Sequence, residues 1–280
     1  MVFKPWTETK TPRHLIDDQD EEQQEDEEYK LGSIPQISIK LNDQLNGKLF
    51  IIPENLRFFF DGIKFQNEVL SKKIVGQITI KYPESVVSNQ QSLLKDEEYS
   101  IEEQLYYNKH NEINKDQSID IINFELIENN ISFIIVPNFT QGNLINYNLI
   151  SLELSNFLKT FEQNNNIEIL TITPSQLPFN EKINILSNNE KFNTDFKRLE
   201  PPFYITGISS SLLTQFSDRK SLDITCFILQ SEGISGFEKI NDESIYEMAK
   251  FLSKYLKFKG YEKNIKKLIG KNINSFALYL

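Results

Sequence analysis

The chain of 280 residues contains little of the material from which cross-linked, metal-binding and proton-transferring sites are built. Its single cysteine excludes an internal disulfide framework, and a thiol-based zinc site would need more cysteines than the chain has. Two histidines and two methionines leave few other side chains for metal or proton chemistry. We therefore expect no metal and no other cofactor in this protein.

Glycine is also scarce, with ten residues and no two of them in a G-x-G pattern. Loops that bind dinucleotides or phosphate need such glycines, because their backbone N–H groups must approach phosphate closely. Gly233 and Gly236 form only G-x-x-G, which is better explained as a hinge after a strand. Glu232 and Glu238 flank this loop, and an acid–base pair between them is a weaker alternative. The sequence thus disfavours nucleotide-dependent enzymes.

The nucleophilic side chains lack an obvious activating base. His14 and His110 both lie in segments that we expect to be flexible, so neither is suited to activate the serines at 209–211. Those small residues are better explained by close packing of a helix. Cys226 lies in an apolar strand, which favours a buried structural thiol over a reactive one. We expect no catalytic residue.

Two further absences concern partners and location. No apolar run approaches the roughly 18 to 20 residues of a membrane span, and the first ten residues lack an apolar signal core. The net charge of −10 and the pI of about 4.9 make nucleic acid and anionic lipid poor partners. We expect a soluble intracellular protein of the cytoplasm, with the nucleus as an additional location.

What is present is a pattern of strands and helices typical of an α/β protein. Hydrophobic residues make up 39% of the chain, enough for a sizeable core. The pattern predicts strands over 48–52, 74–81, 119–127, 131–137, 167–173 and 222–230. It predicts helices over 147–161, in the second half of 203–216, and over 241–258, the last capped by Asn241 and ended by Gly260. This alternation indicates a mostly parallel central sheet with helices on both faces.

The first 30 residues are predicted to form a flexible acidic tail. Residues 17–28 are all acidic or Gln, a run that repels itself and cannot bury apolar surface. Ahead of it lies an aromatic cluster formed by Phe3 and Trp6, the only Trp in the chain. Two interpretations of this cluster stay open: it folds back onto the domain, or it docks on a partner with the acidic run as a tether.

The remainder is predicted to form one α/β domain over 31–270, followed by a free C-terminal tail over 271–280. The polar stretch 82–118 is interpreted as an insertion loop between strands, because Asn, Gln, Glu and Lys dominate it. The sequence shows no internal repeat.

The charge reverses near the end of this acidic chain. Eight Lys against the single acid Glu262 lie between Lys250 and Lys271. This basic stretch is either the solvated face of the last helices or a surface that steers the protein to an acidic partner. The chain then closes with Leu278, Tyr279 and Leu280, which from their composition alone could equally be a last strand or a tail packed on the core.

Four short motifs together resemble the family of fungal proteasome assembly chaperone 1. They are the start MVFKPW, the stretch PPFYITGISSSLLTQF at 201–216, the stretch SEGISGFEK at 231–239 and the end ALYL. They occur in the order of the family and cover about an eighth of the chain. The insertion at 82–118 has no counterpart in this resemblance.

The resemblance implies a non-enzymatic function and a set of partners. It implies one half of a heterodimer with a second proteasome assembly chaperone, which caps the outer face of the α-ring of the immature 20S core particle. Family members end in a hydrophobic–Tyr–X motif, here Leu278, Tyr279 and Leu280. That motif enters a pocket between adjacent proteasome α-subunits, which promotes correct assembly and blocks premature binding of activators. A pocket lysine would pair with the terminal carboxylate.

Two other functions remain open from the residues alone. One is an enzyme on a related scaffold similar to nucleoside phosphorylases, although the sequence lacks a glycine-rich loop that would bind phosphate. The other is a generic adaptor whose tail docks elsewhere. Within the chaperone interpretation, Phe3 and Trp6 are a candidate second docking element.

Overall fold

The computed structural model describes residues 34–43, 45, 47–82, 116–126, 130–139, 144–159, 167–178, 180–189, 192, 194–217, 222–233 and 238–276, with the backbone alone over 271–276. The described strands are β1 Gln36–Leu41, β2 Lys48–Pro53, β3 Val69–Lys81, β4 Gln117–Leu126, β5 Asn130–Val136, β6 Glu168–Ser175, β7 Ile183–Ser187, β8 Lys197–Arg198, β9 Asp223–Glu232 and β10 Lys239–Ile240. The described helices are α1 Arg57–Ile63, α2 Ile145–Lys159, α3 Gly207–Phe216, α4 Asp242–Tyr255 and α5 Tyr261–Phe276.

The strands form one sheet in the order β1-β3-β4-β5-β2-β6-β9-β7-β8, with β10 paired to β9. At its centre, β5, β2, β6 and β9 run parallel. On one side β1, β3 and β4 pair antiparallel as far as β5, and on the other β7 runs antiparallel to β9. The predicted α/β class with a central sheet is therefore confirmed, and the predicted parallel pairing is found at the centre of the sheet.

Helices cover both faces of this sheet, as predicted. On one face, α1, α4 and α5 pack over a core that includes Phe60, Phe133 and Phe227. On the other face, α2 and α3 pack over Ile51 and Ile169. The central strands supply both cores because they are apolar on both sides; in β2 every residue after Lys48 is buried.

The best-predicted helix, α4, starts as expected and ends earlier. The side chain of Asn241 accepts a 2.8 Å hydrogen bond from the backbone N–H of Glu243, so Asn241 is the N-cap. The helix ends at Tyr255, and Lys257 takes the left-handed conformation with φ of 58°. The prediction that Gly260 ends this helix was wrong: the helix closes through a bond from the N–H of Phe258 to the carbonyl of Ser253, and Gly260 lies just before α5.

Two predicted boundaries also need correction. Gln117 and Ser118 belong to β4, and Tyr82 is buried, so the ends of the predicted insertion at 82–118 are part of the folded domain. The backbone N–H of Tyr82 donates a 3.0 Å hydrogen bond to Asp116, which brings the two ends together. At the other end of the chain, α5 continues to Phe276, so residues 271–276, predicted to belong to the tail, are helical.

Several predictions lie outside the described residues. These are the acidic tail with Phe3 and Trp6, the interior of the predicted insertion with His110, and His14.

Candidate functional site

The three residues predicted to dock on a partner, Leu278, Tyr279 and Leu280, lie outside the described residues. So do Phe3 and Trp6. The described element that leads directly to the first group is α5, whose backbone ends at Phe276. The candidate site is therefore built from α5 and from the contacts that hold it on the domain.

Helix α5 is fixed at its first turn by a buried tyrosine. The side chain of Tyr261 is completely buried, and its hydroxyl donates a 2.6 Å hydrogen bond to the backbone carbonyl of Phe59 in α1. Burial alone raises the pKa of the Tyr261 phenol well above its usual range, so the group stays neutral and donates. This contact ties the last helix to the element that follows the central strand β2.

One turn later, α5 approaches α1 so closely that a side chain at position 62 would displace its neighbours. A Cβ on Gly62 would lie 2.5 Å from Cδ1 of Ile265 and 3.1 Å from Cε2 of Tyr261. Ile265 is itself fully buried. The first half of α5 is thus held by close packing as well as by a hydrogen bond, and its direction is determined by the domain.

The outward side of α4 and α5 carries the predicted basic surface. We call six of the exposed lysines in this region the lysine face; they are Lys250, Lys254, Lys259, Lys263, Lys266 and Lys267. On α5 the last three recur at helical spacing opposite the buried Tyr261 and Ile265. Within the described part of the chain, no carboxylate lies within 4.0 Å of these six ammonium groups.

A second polar cluster, not predicted from the sequence, lies where α4 ends. The ammonium of Lys48 is 2.6 Å from one carboxylate oxygen of Glu168 and donates a 2.9 Å bond to the hydroxyl of Tyr255. That hydroxyl donates a 2.5 Å bond to the other oxygen of Glu168. Burial raises the pKa of Tyr255 most, and the hydrogen bond to Glu168 and its charge raise it further. The cluster joins the first residues of β2 and β6 to the end of α4.

The serines of 209–211 and Cys226, considered above as possible nucleophiles, take part in packing between elements. Ser209 is buried, and its hydroxyl is 2.6 Å from that of Thr171 in β6, while Ser211 donates a 2.6 Å bond to Asn148 in α2. Cys226 is fully buried, and this burial raises the pKa of its thiol far above the range in which a thiolate forms. These residues hold α3 against the sheet and α2, as expected for small residues at a helix contact.

Of the two glutamates named as an alternative acid–base pair, Glu232 is the last residue of β9 and Glu238 immediately precedes β10. Burial raises the pKa of Tyr147 most, and the negative charge of Glu238 raises it slightly further. Glu232 is exposed. Over the ranges that the structure describes, no three His, Cys, Asp or Glu side chains are grouped so that they could hold a metal ion. In the same ranges no helix is both long and apolar enough to cross a membrane.

The fold is similar to that of two crystal structures from Pyrococcus furiosus. One is PbaA, an archaeal homologue of proteasome-assembly chaperone, with a TM-score of 0.52, 14% identity, and coverage of 86% of this chain and 96% of that one. A monoclinic form of PbaA gives a TM-score of 0.50 at 16% identity, covering 86% and 92%. At such identities the likeness shows a shared fold. No curated protein matches the chain by sequence.

The sequence also matches the model of a protein family. The model described as POC1 chaperone matches residues 1–280, the whole length of the chain. The four short motifs that suggested an assembly chaperone are thus part of a similarity that extends over the intervening sequence. The protein belongs to the POC1 chaperone family, as the resemblance to proteasome assembly chaperone 1 predicted.

Proposed function

We propose that this protein is a non-catalytic chaperone in the assembly of the 20S proteasome core particle. Together with a second assembly chaperone it caps the outer face of the α-ring, and Leu278, Tyr279 and Leu280 enter a pocket between adjacent α-subunits. Family membership over the whole chain supports this role, and so does a fold shared with an archaeal homologue of proteasome-assembly chaperone.

The anchored helix α5 is the observation that carries the docking role. Tyr261 and Ile265 fix the start of the helix on α1, and the helix runs to Phe276. Leu280 is the fourth residue after Phe276, so the motif can reach at most about 14 Å from the helix end. A short segment on a fixed helix loses less entropy on binding than the same segment on a long linker.

The energetics of so small a motif call for a second contact with the ring. Burying one Tyr and two Leu contributes about 5–9 kcal/mol. Ordering about four residues costs about 4–8 kcal/mol, so only a few kcal/mol remain, or roughly millimolar affinity. A partner chaperone with its own docking segment makes the binding bivalent, and the folded bodies add area. Heterodimer formation is therefore part of the proposal.

Occupation of a pocket is sufficient for the regulatory part of the role. An activator that uses the same pocket between α-subunits is excluded for as long as Tyr279 fills it. Release on maturation then permits activator binding, without any covalent step by the chaperone. On this proposal the protein acts in the cytoplasm and the nucleus, where core particles assemble, and Phe3 and Trp6 form a second docking element.

The proposal is tested by capture of proteasome α-subunits on the tagged full chain and on a chain lacking residues 278–280. The full chain is expected to retain α-subunits and a second assembly chaperone. The shortened chain is expected to retain the second chaperone but to lose most of the α-subunits. Equal capture of α-subunits by both chains would contradict the docking role, and the absence of α-subunits from both would favour an adaptor of another system.

A further inference from the structure

The six lysines of the lysine face on α4 and α5 have no carboxylate partner within the described part of the chain, although the protein as a whole is acidic. All six ammonium groups are exposed, and Glu262 is the single acid in the stretch from Lys250 to Lys271. Other exposed lysines of the domain are differently placed. Lys197 in β8, for example, has its ammonium 2.8 Å from the carboxylate of Glu181.

The same chain contains a segment of opposite charge. Residues 17–28 comprise nine carboxylates and three glutamines, with no lysine or arginine among them. The two regions match in sign and in approximate number, since the lysine face offers six charges and the segment nine. A matched pair of this kind attracts at a range of about one Debye length, roughly 10 Å at 0.1 M salt.

The covalent connection is long enough to bring the two regions together. β1 begins at Gln36, and three strands separate β1 from β2, which places the two about 19 Å apart at the usual strand spacing. Helix α5 packs on α1, which follows β2, so it lies about one or two packing layers of roughly 10 Å from the sheet. The eight residues from Glu28 to Gln36 span up to about 28 Å, and those from Asp17 up to about 65 Å.

We propose that the acidic segment Asp17–Glu28 docks on the lysine face of α4 and α5 within the same molecule. Tethering favours this occupant over any free acidic partner, because a short flexible linker gives an effective concentration in the millimolar range. The contact is electrostatic and has no fixed register, since glutamate, aspartate and lysine side chains pair in many equivalent ways. The docked acidic segment neutralises the lysine face next to the C-terminal segment until an acidic partner that binds more tightly displaces it.

The contact predicts a pattern of lysine reactivity that is measurable on the full-length protein. In acetylation followed by mass spectrometry, Lys254, Lys263, Lys266 and Lys267 are expected to react at least threefold more slowly in the native chain. These rates are compared with those of a variant in which each acid of 17–28 is changed to its amide. In 1 M salt the four lysines of the native chain are expected to react as fast as in that variant, because salt screens the contact. Lys40 and Lys73 serve as internal controls and are expected to keep their rates. Equal rates at the four helical lysines would overturn the proposal.

A second measurement uses the native chain alone and identifies the occupant. Carboxyl-to-amine cross-linking is applied to an equal mixture of unlabelled and ¹⁵N-labelled protein. Cross-links from 17–28 to Lys254, Lys263 or Lys267 within one isotope class are expected. Cross-links of mixed isotope would show that a second copy provides the acidic segment, and cross-links only to Lys40 or Lys73 would place it elsewhere; either result overturns the proposal. Because no proteasome is present, these outcomes do not depend on the function proposed above.

Discussion

The hydroxyl of Tyr261 donates a 2.6 Å hydrogen bond to the backbone carbonyl of Phe59, although 202 positions separate them in the sequence. One residue begins the last helix and the other lies in the helix that follows the central strand β2. The bond is completely buried, so water offers neither group an alternative partner. This pairing determines where α5 starts and hence where the proposed docking segment is presented.

The first prediction concerns that hydrogen bond. Tyr261→Phe is expected to lower the free energy of unfolding by about 1 kcal/mol, because a buried hydrogen bond is lost while the ring stays in place. Denaturant unfolding at pH 7 measures the change. The matched control is Tyr246→Phe on the exposed side of α4, expected to change the free energy by less than about 0.5 kcal/mol. Equal effects of the two substitutions would show that the bond contributes nothing.

The second prediction is a loss of stability in alkali. Burial raises the pKa of Tyr261 above the value of about 10 expected in the unfolded chain, so above pH 10 the unfolded state loses a proton that the native state retains. The stability that this group contributes is present below pH 10 and falls above it, by up to about 1.4 kcal/mol per pH unit. Unfolding measured from pH 8 to 11 is expected to show a shallower decline in Tyr261→Phe. An unchanged slope would contradict the assignment.

The third prediction concerns the cluster of Lys48, Glu168 and Tyr255. Glu168→Gln is expected to destabilise the protein by about 1–3 kcal/mol, because Lys48 and Tyr255 both lose a charged acceptor in a half-buried place. The control is Glu54→Gln, which breaks an exposed pair with Arg57 and is expected to cost less than about 1 kcal/mol. Thermal or denaturant unfolding measures both. Equal costs would mean that the cluster behaves as an ordinary surface ion pair.

The fourth prediction tests how closely α5 packs on α1. Gly62→Ala is expected to destabilise the protein by about 1–2 kcal/mol, since the new methyl group would meet Ile265 and overpacking outweighs the better helix propensity of Ala. In an Ile265→Val background, which removes the contacting Cδ1, the same substitution is expected to be neutral or stabilising. A double-mutant cycle measures this coupling. Additive effects would show that the two helices are not in tight contact.

The sequence predicted the parts of the fold that depend on local pattern. The apolar runs of the central strands and the Asn241 cap of α4 were found where expected, because burial on both faces and helix capping both leave a mark over a few residues. Helix α1 was missed because three consecutive Phe in a seven-residue helix show no helical period. β1 was also missed, although its alternation of polar and apolar residues carried the signal of a half-buried strand.

The features that no local pattern determines could not be predicted. The left-handed conformation of Lys257 ends α4, a position where glycine is the usual signal, so the boundary was placed too late. The cluster joining Lys48 to Glu168 and Tyr255 brings together residues more than 80 positions apart, as does the bond from Tyr261 to Phe59. The sequence predicted the basic stretch but not its arrangement. The structure places Lys263, Lys266 and Lys267 on the exposed side of α5, opposite the buried Tyr261 and Ile265.

The central claim is that Tyr279 is a docking side chain and that the anchored helix α5 positions it. Its most direct test is the dissociation constant of the full chain, bound to its partner chaperone, for precursor particles that contain the α-ring. Tyr279→Ala is expected to weaken binding about tenfold or more, since a buried Tyr contributes about 1.5–3 kcal/mol, while Tyr246→Ala on α4 is expected to bind as the unaltered chain does. Equal dissociation constants for all three proteins would contradict the claim.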